Sequence, residues 1–156
     1  MIFQYAAFAC DFQLPKGVTP GQTFQIQQVA TTLPNNPAKM TVSGSFIIQD
    51  ACTINIQNLV YTPQVQQVYL YSSNSANIND STASGDQISK DIVNESAFNG
   101  TSQMVALTKS IQNAKSLKLF GSQDNFVLAG ASIATSAAKL PTLQILVVIA
   151  LFLCYQ

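Results

Sequence analysis

Histidine and tryptophan are both missing from the 156 residues. Without histidine the commonest general base, zinc ligand and haem ligand is gone, so a histidine-dependent catalytic triad and a histidine-ligated haem are excluded within this sequence. Charge is also scarce, at 9% of the chain where about 25% is usual. No basic patch or basic helical face emerges, so nucleic acid is a poor partner, and no acidic run suggests calcium. The cysteines, Cys10, Cys52 and Cys154, are too far apart for a CxxC pair or a zinc-ligand spacing. No cofactor and no metal are expected, and nothing in the composition supplies a catalytic constellation. No apolar period of 3.6 residues is sustained before residue 140, so amphipathic helices are not predicted. There is no internal repeat.

What is present is neutral and polar. Gln, Asn, Ser and Thr carry the solubility, while an apolar fraction of 47% suffices for one core. The length fits one domain and a terminal appendage. Alternation of apolar and polar side chains predicts strands over Thr23–Val29, Met40–Gln49, Thr53–Leu59 and Val65–Ser72. Further strands are predicted over Ser102–Leu107, Ser116–Phe120 and Phe126–Ser132. Gly44 interrupts the second of these and predicts a bulge or a close backbone approach. Asp50-Ala51-Cys52 forms the corner of a hairpin. Asp11–Gly21 and Thr31–Ala38 read as loops from their proline and glycine content, and Ser72–Asp91 reads as a long polar surface loop, or a loop with one short helical turn. Short strands separated by turn signals define an all-β class, a single small β-sandwich or barrel-like domain. The domain division is 1–22 as a short or truncated signal peptide and linker, 23–134 as the β domain, and 135–156 as a membrane-attachment tail.

Both ends bear on compartment. Met1–Cys10 is apolar, with Ala7-Phe8-Ala9 in the small-x-small form of a signal-peptidase site; the alternative is an N-terminal strand packed on the domain. From Ile145 to Tyr155 the chain is continuously apolar, behind small residues at Ser136-Ala137-Ala138 and a short spacer. That layout matches a glycosylphosphatidylinositol signal with Ser136 as the attachment residue. The alternatives are a single tail-anchor helix over 140–155 and a buried core helix. Three tripeptides fit the N-glycosylation acceptor, at Asn79, Asn94 and Asn99. The expected location is the cell surface, anchored by lipid or by one helix, with the tail as the membrane contact and a protein or glycan as the external partner.

Val42-Ser-Gly-Ser-Phe46 and Asp50-Ala-Cys-Thr53 follow the pattern SG-x-F-x-x-x-D-x-C-[ST]-x-x-[IV]-x-x-[FL]. This resembles the DM-thirteen domain, the small domain often found beside DOMON domains. Gln67–Tyr71, Gly85–Ser89, Asn99–Thr101 and Asp124–Ala129 keep step with the family in order, so the resemblance spans about residues 40 to 133. Two departures stand out: the family often has tryptophan near Tyr69–Tyr71, and the glycine of its closing motif is replaced where Val127 follows Phe126. The resemblance implies an extracellular β domain with a proposed electron-transfer role centred on Cys52, working with an external electron donor or acceptor. The residues themselves leave three readings of Cys52 open: a disulfide to Cys10, a buried free thiol, or a redox-active group. Asp50, Asp124, Tyr69 and Tyr71 read as turn residues and core or rim aromatics. The function expected is therefore a cell-surface interaction module. The alternatives are a redox domain acting through Cys52 and a structural subunit of a membrane or extracellular assembly.

Overall fold

A computed structural model of the chain describes residues 10–34, 36–63, 65, 67–80, 85–93 and 102–134. The architecture is all-β, and no helix forms among the described residues. Among the described residues eleven strands follow in order: β1 Thr23–Gln25, β2 Gln27–Gln28, β3 Thr32–Leu33, β4 Asn36–Lys39, β5 Thr41–Asp50, β6 Thr53–Thr62, β7 Val68–Ser73, β8 Asp86–Gln87, β9 Ser102–Ala106, β10 Ser116–Gly121 and β11 Phe126–Ser132. They build a first sheet in the order β1-β5-β6-β9, a second in the order β2-β11-β10-β7-β8, and a small β3-β4 hairpin. Every pairing is antiparallel.

The two sheets enclose one core because alternation along each strand turns one set of side chains inward. Phe46, Ile48, Ile54, Ile56 and Val105 come from the first sheet; Leu70, Leu117, Leu119, Ala129 and Ala131 come from the second. The segment before β1 belongs to the same body. Val18 is buried, Phe12 and Leu14 pack against the core, and Gly21 N–H donates to the Ile48 carbonyl at 2.7 Å. The folded unit thus takes in residues that sequence composition assigns to a linker.

Both sides of the sandwich are closed by a segment that serves both sheets. On one side Thr23–Gln28 pairs with β5 through β1 and with β11 through β2. Between the two, Ile26 N–H donates to the Gly44 carbonyl at 2.9 Å. On the other side the stretch after β8 does the same work. Ile88 N–H donates to the Leu70 carbonyl at 2.9 Å and Thr108 N–H to the Ile88 carbonyl at 2.8 Å, while Ser89 bridges Leu107. Buried Ser89 also accepts a bond from Leu70 N–H through its Oγ at 2.9 Å, supplying an acceptor that the short β8 ladder lacks. Tyr61, buried, donates its hydroxyl to the Val93 carbonyl at 3.3 Å and fixes the end of this closing segment.

The predicted irregularity at Gly44 is present. Pairing of β5 and β6 shifts between Ser43 and Ser45, and a β-carbon on residue 44 would stand 3.0 Å from the Leu59 Cα. The backbones approach too closely there for a side chain. Where the sequence predicts a loop over Thr31–Ala38, the structure holds the β3–β4 hairpin. Its strands are short and mostly exposed, with Leu33 packed against the core, so no apolar alternation announces them.

Candidate functional site

Three regions bear on function: the corner at Cys52, the outer face of the first sheet, and a polar cleft at one end of the second. At the corner, Ala51 and Cys52 form the two-residue turn between β5 and β6. Asp50 Oδ1 accepts a bond from Cys52 N–H at 2.7 Å, the geometry in which aspartate favours a turn. The carboxylate therefore shapes the corner. Cys52 is joined to Cys10 by a disulfide with a Cα–Cα distance of 6.0 Å, within the usual range. An open cleft of about 700 Å³ lies beside it, lined by Phe12, Asp50, Ala106 and Leu107 among others.

The outer face of the first sheet follows from the register. One row of facing residues runs Thr23, Ile47, Asn55, Met104; the next runs Gln25, Ser45, Gln57, Ser102. Their inward neighbours fill the core, so these eight side chains project to the opposite side. None is charged. Met104 is 55% exposed. Asn55, only 8% exposed, keeps its Oδ1 buried with no hydrogen-bond partner among the described residues, an arrangement that costs about 1–3 kcal/mol.

The outer face of the second sheet is different, because the loop after β7 folds over part of it. Ser116 Oγ donates to the Ser75 carbonyl at 2.7 Å and Lys118 Nζ to the Asp80 carbonyl at 2.8 Å, and Ile78 is buried beneath the loop. Burial pushes the Lys118 amine below its ordinary value, with the Asp80 charge opposing part of that shift. Beyond the loop, Tyr71 packs on Phe120 with ring centroids 4.8 Å apart. The Tyr71 hydroxyl donates to Gln87 Oε1 at 3.3 Å. Burial raises the Tyr71 phenol, the Tyr69 charge adds to this, and Lys109 opposes it.

The polar cleft, about 470 Å³, opens between the end of β7, the start of β8 and the loop after β9. Its hydrogen-bonding side chains include Ser72, Asn74, Asp86, Ser110, Gln112 and Asn113. One wall is fixed by Gly85, whose φ of +80° and contact with Ser72 leave no room for a β-carbon. The opposite wall is anchored by Ile111, fully buried. Ala114 N–H donates to the Ile111 carbonyl at 2.8 Å, and Ser110 Oγ accepts from Gln112 N–H at 3.2 Å. Asp86 reaches Lys109 at 3.3 Å across an exposed rim.

The structure thus brings Cys10 and Cys52 together and places Asn79 on the exposed turn of the β7 loop. Asn94, Asn99, Ser136 and the 140–155 tail lie outside the described residues. Asp50 sits at its turn, Asp124 in the β10–β11 turn, and Tyr69 and Tyr71 are partly buried on the second sheet. Among the described residues no group of three or more His, Cys, Asp or Glu is placed to hold a metal, and no helix is long and apolar enough to cross a membrane. Sequence reasoning does not find the cleft or the buried Lys118. Cleft-lining Ser, Asn and Gln have the same composition as any solvated loop, and a lysine in a strand normally points to water.

The chain matches no protein-family model, no curated protein and no solved structure.

Proposed function

We propose that this protein is a membrane-anchored, surface-displayed interaction module that docks a protein partner through the outer face of its first sheet. The observation that carries this reading is the pair of uncharged rows across β1, β5, β6 and β9. A neutral mosaic of amides, hydroxyls and two aliphatic side chains resembles the less charged centre of a protein interface more than a solvated surface. The rows run across four strands, about 14 Å at the usual strand spacing, so a protein face of matching neutral groups covers them where a single sugar would not. The buried Asn55 Oδ1 adds a specific demand, since a partner donor that reached it would satisfy it.

The cell-surface placement rests on separate grounds. Disulfides persist in oxidising compartments, and Cys10 and Cys52 form one. Asn79 is an exposed acceptor for glycosylation. Attachment is assigned to the 140–155 tail, through a glycolipid at Ser136 or a single helix. The DM-thirteen resemblance agrees with an extracellular β domain, and its strongest motif occupies the β5–β6 hairpin.

A photo-crosslinking amino acid at position 104 of the full chain, displayed on its native membrane, tests the docking face. A discrete protein adduct is expected there and not at Gln123, an exposed residue of the β10–β11 turn. Gln57→Lys should abolish that adduct. Position 104 giving no adduct, or the same pattern as position 123, would overturn the reading.

One observation favours a second reading. The Cys10–Cys52 disulfide borders an open cleft, with Cys10 itself exposed. A redox domain would take two electrons and two protons there from an external dithiol, giving two thiols and an oxidised donor. Redox titration of the full chain separates the readings. A structural disulfide has a potential below about −300 mV and a working couple a less negative one.

A further inference from the structure

We infer that the cleft between the β7–β8 edge and the loop after β9 is a binding site for a neutral sugar residue, separate from the docking face on the first sheet. The volume, about 470 Å³, falls in the range of small-ligand sites. The lining chemistry selects the ligand. Ser72, Asn74, Ser110, Gln112 and Asn113 carry hydroxyls and amides that both donate and accept. A polyhydroxylated ring, whose hydroxyls also do both, complements such a surface better than an apolar molecule. Asp86 is the one carboxylate among the described lining residues. Two carboxylate oxygens accept from two neighbouring hydroxyls, and charge assistance strengthens each bond.

The walls are preformed, which lowers the cost of ordering on binding. Gly85 is locked against Ser72, and this fixes the backbone that carries Asp86. Ile111 is driven into the core, and the Ser110 and Ala114 bonds hold Gln112 and Asn113 on the facing loop. The Asp86–Lys109 pair is exposed on both sides, so solvent screens it and Asp86 can exchange that contact for a ligand at small cost. An acidic sugar would meet the Asp86 charge and is disfavoured.

The test is a titration of the full chain, isotope-labelled in detergent micelles, with the methyl glycosides of glucose, galactose, mannose and N-acetylglucosamine, and with methyl sialoside as the acidic probe. Expected are saturable shifts of the Asn74, Asp86 and Asn113 amides with at least one neutral glycoside below about 50 mM, in the weak range of single-sugar affinity. Asp86→Asn, which keeps the side-chain shape, should weaken binding about tenfold or more, as loss of a charge-assisted bond does, and Asn113→Ala about fivefold, as loss of a neutral one does. No neutral glycoside shifting these amides, equal binding by both variants, or preference for the sialoside would overturn the assignment.

Discussion

The Lys118 ammonium donates to the Asp80 carbonyl at 2.8 Å while its residue is fully buried in the middle of β10. This contact and the Ser116–Ser75 bond tie the β7 loop to the outer face of the second sheet. Lys118→Met keeps the aliphatic stem and removes the charge. Amides of residues 77–80 should then exchange faster with solvent, while the core strands keep their protection; unchanged loop exchange would show that the lysine does not hold it.

The same residue predicts a pH effect. Burial lowers the folded-state pKa of Lys118, so the unfolded chain keeps its proton to higher pH. In the window from the lowered value up to about 10.5 the unfolded state binds more protons, and stability rises with pH. Lys118→Met should flatten that rise in chemical denaturation followed across the window.

Tyr71 works in the opposite sense. Its folded-state pKa is raised, first by burial and then by Tyr69. Above about 10 the unfolded chain loses the phenolic proton first, so stability falls with rising pH until the raised value is passed. Tyr71→Phe should remove this fall. Spectrophotometric titration of the tyrosines should show one late phase missing in the variant.

Gly85 and Gly21 make a matched pair. Both have positive φ, +80° and +84°. No described residue comes within 4 Å of a β-carbon built on residue 21, whereas one on residue 85 would overlap the Ser72 carbonyl. Gly21→Ala should cost about 1 kcal/mol, the conformational penalty alone. Gly85→Ala should cost more, about 3 kcal/mol, because backbone must move. Equal melting-temperature shifts in the two variants would refute the close contact.

The strand framework is legible because each long strand sends an alternating set of apolar side chains into the core. Phe46 and Ile48 alternate with Ser45 and Ile47, and Leu117 and Leu119 with Ser116 and Lys118. The corner at Asp50 is legible too, since aspartate before a two-residue turn has a local mechanism. The β3–β4 hairpin is not, because its formation depends on neighbours rather than on its own pattern. The closing segment around Ser89 escapes for a related reason. A polar residue buried by tertiary bonds looks in sequence like loop, and only the register of β7 and β9 shows what it joins. The outer face of the first sheet stands between these cases: its Gln, Asn and Ser residues are plain in sequence, but their alignment into rows needs the register.

Replacing Cys52 by serine tests the disulfide. The cysteines lie 42 residues apart, and the chain-entropy model assigns about 4 kcal/mol to closing a loop of that size. Cys52→Ser and Cys10→Ser should lower the denaturation midpoint by similar amounts, and the double variant by no more than either alone. Clearly additive losses would mean that the two sulfurs act separately.

The loop closed by that bond includes the exposed β3–β4 hairpin, at the surface and within reach of proteases. A single cut there would not release either piece. Two fragments would travel together until a reductant parted them, and a nicked molecule would keep the size, and the strands, of an intact one.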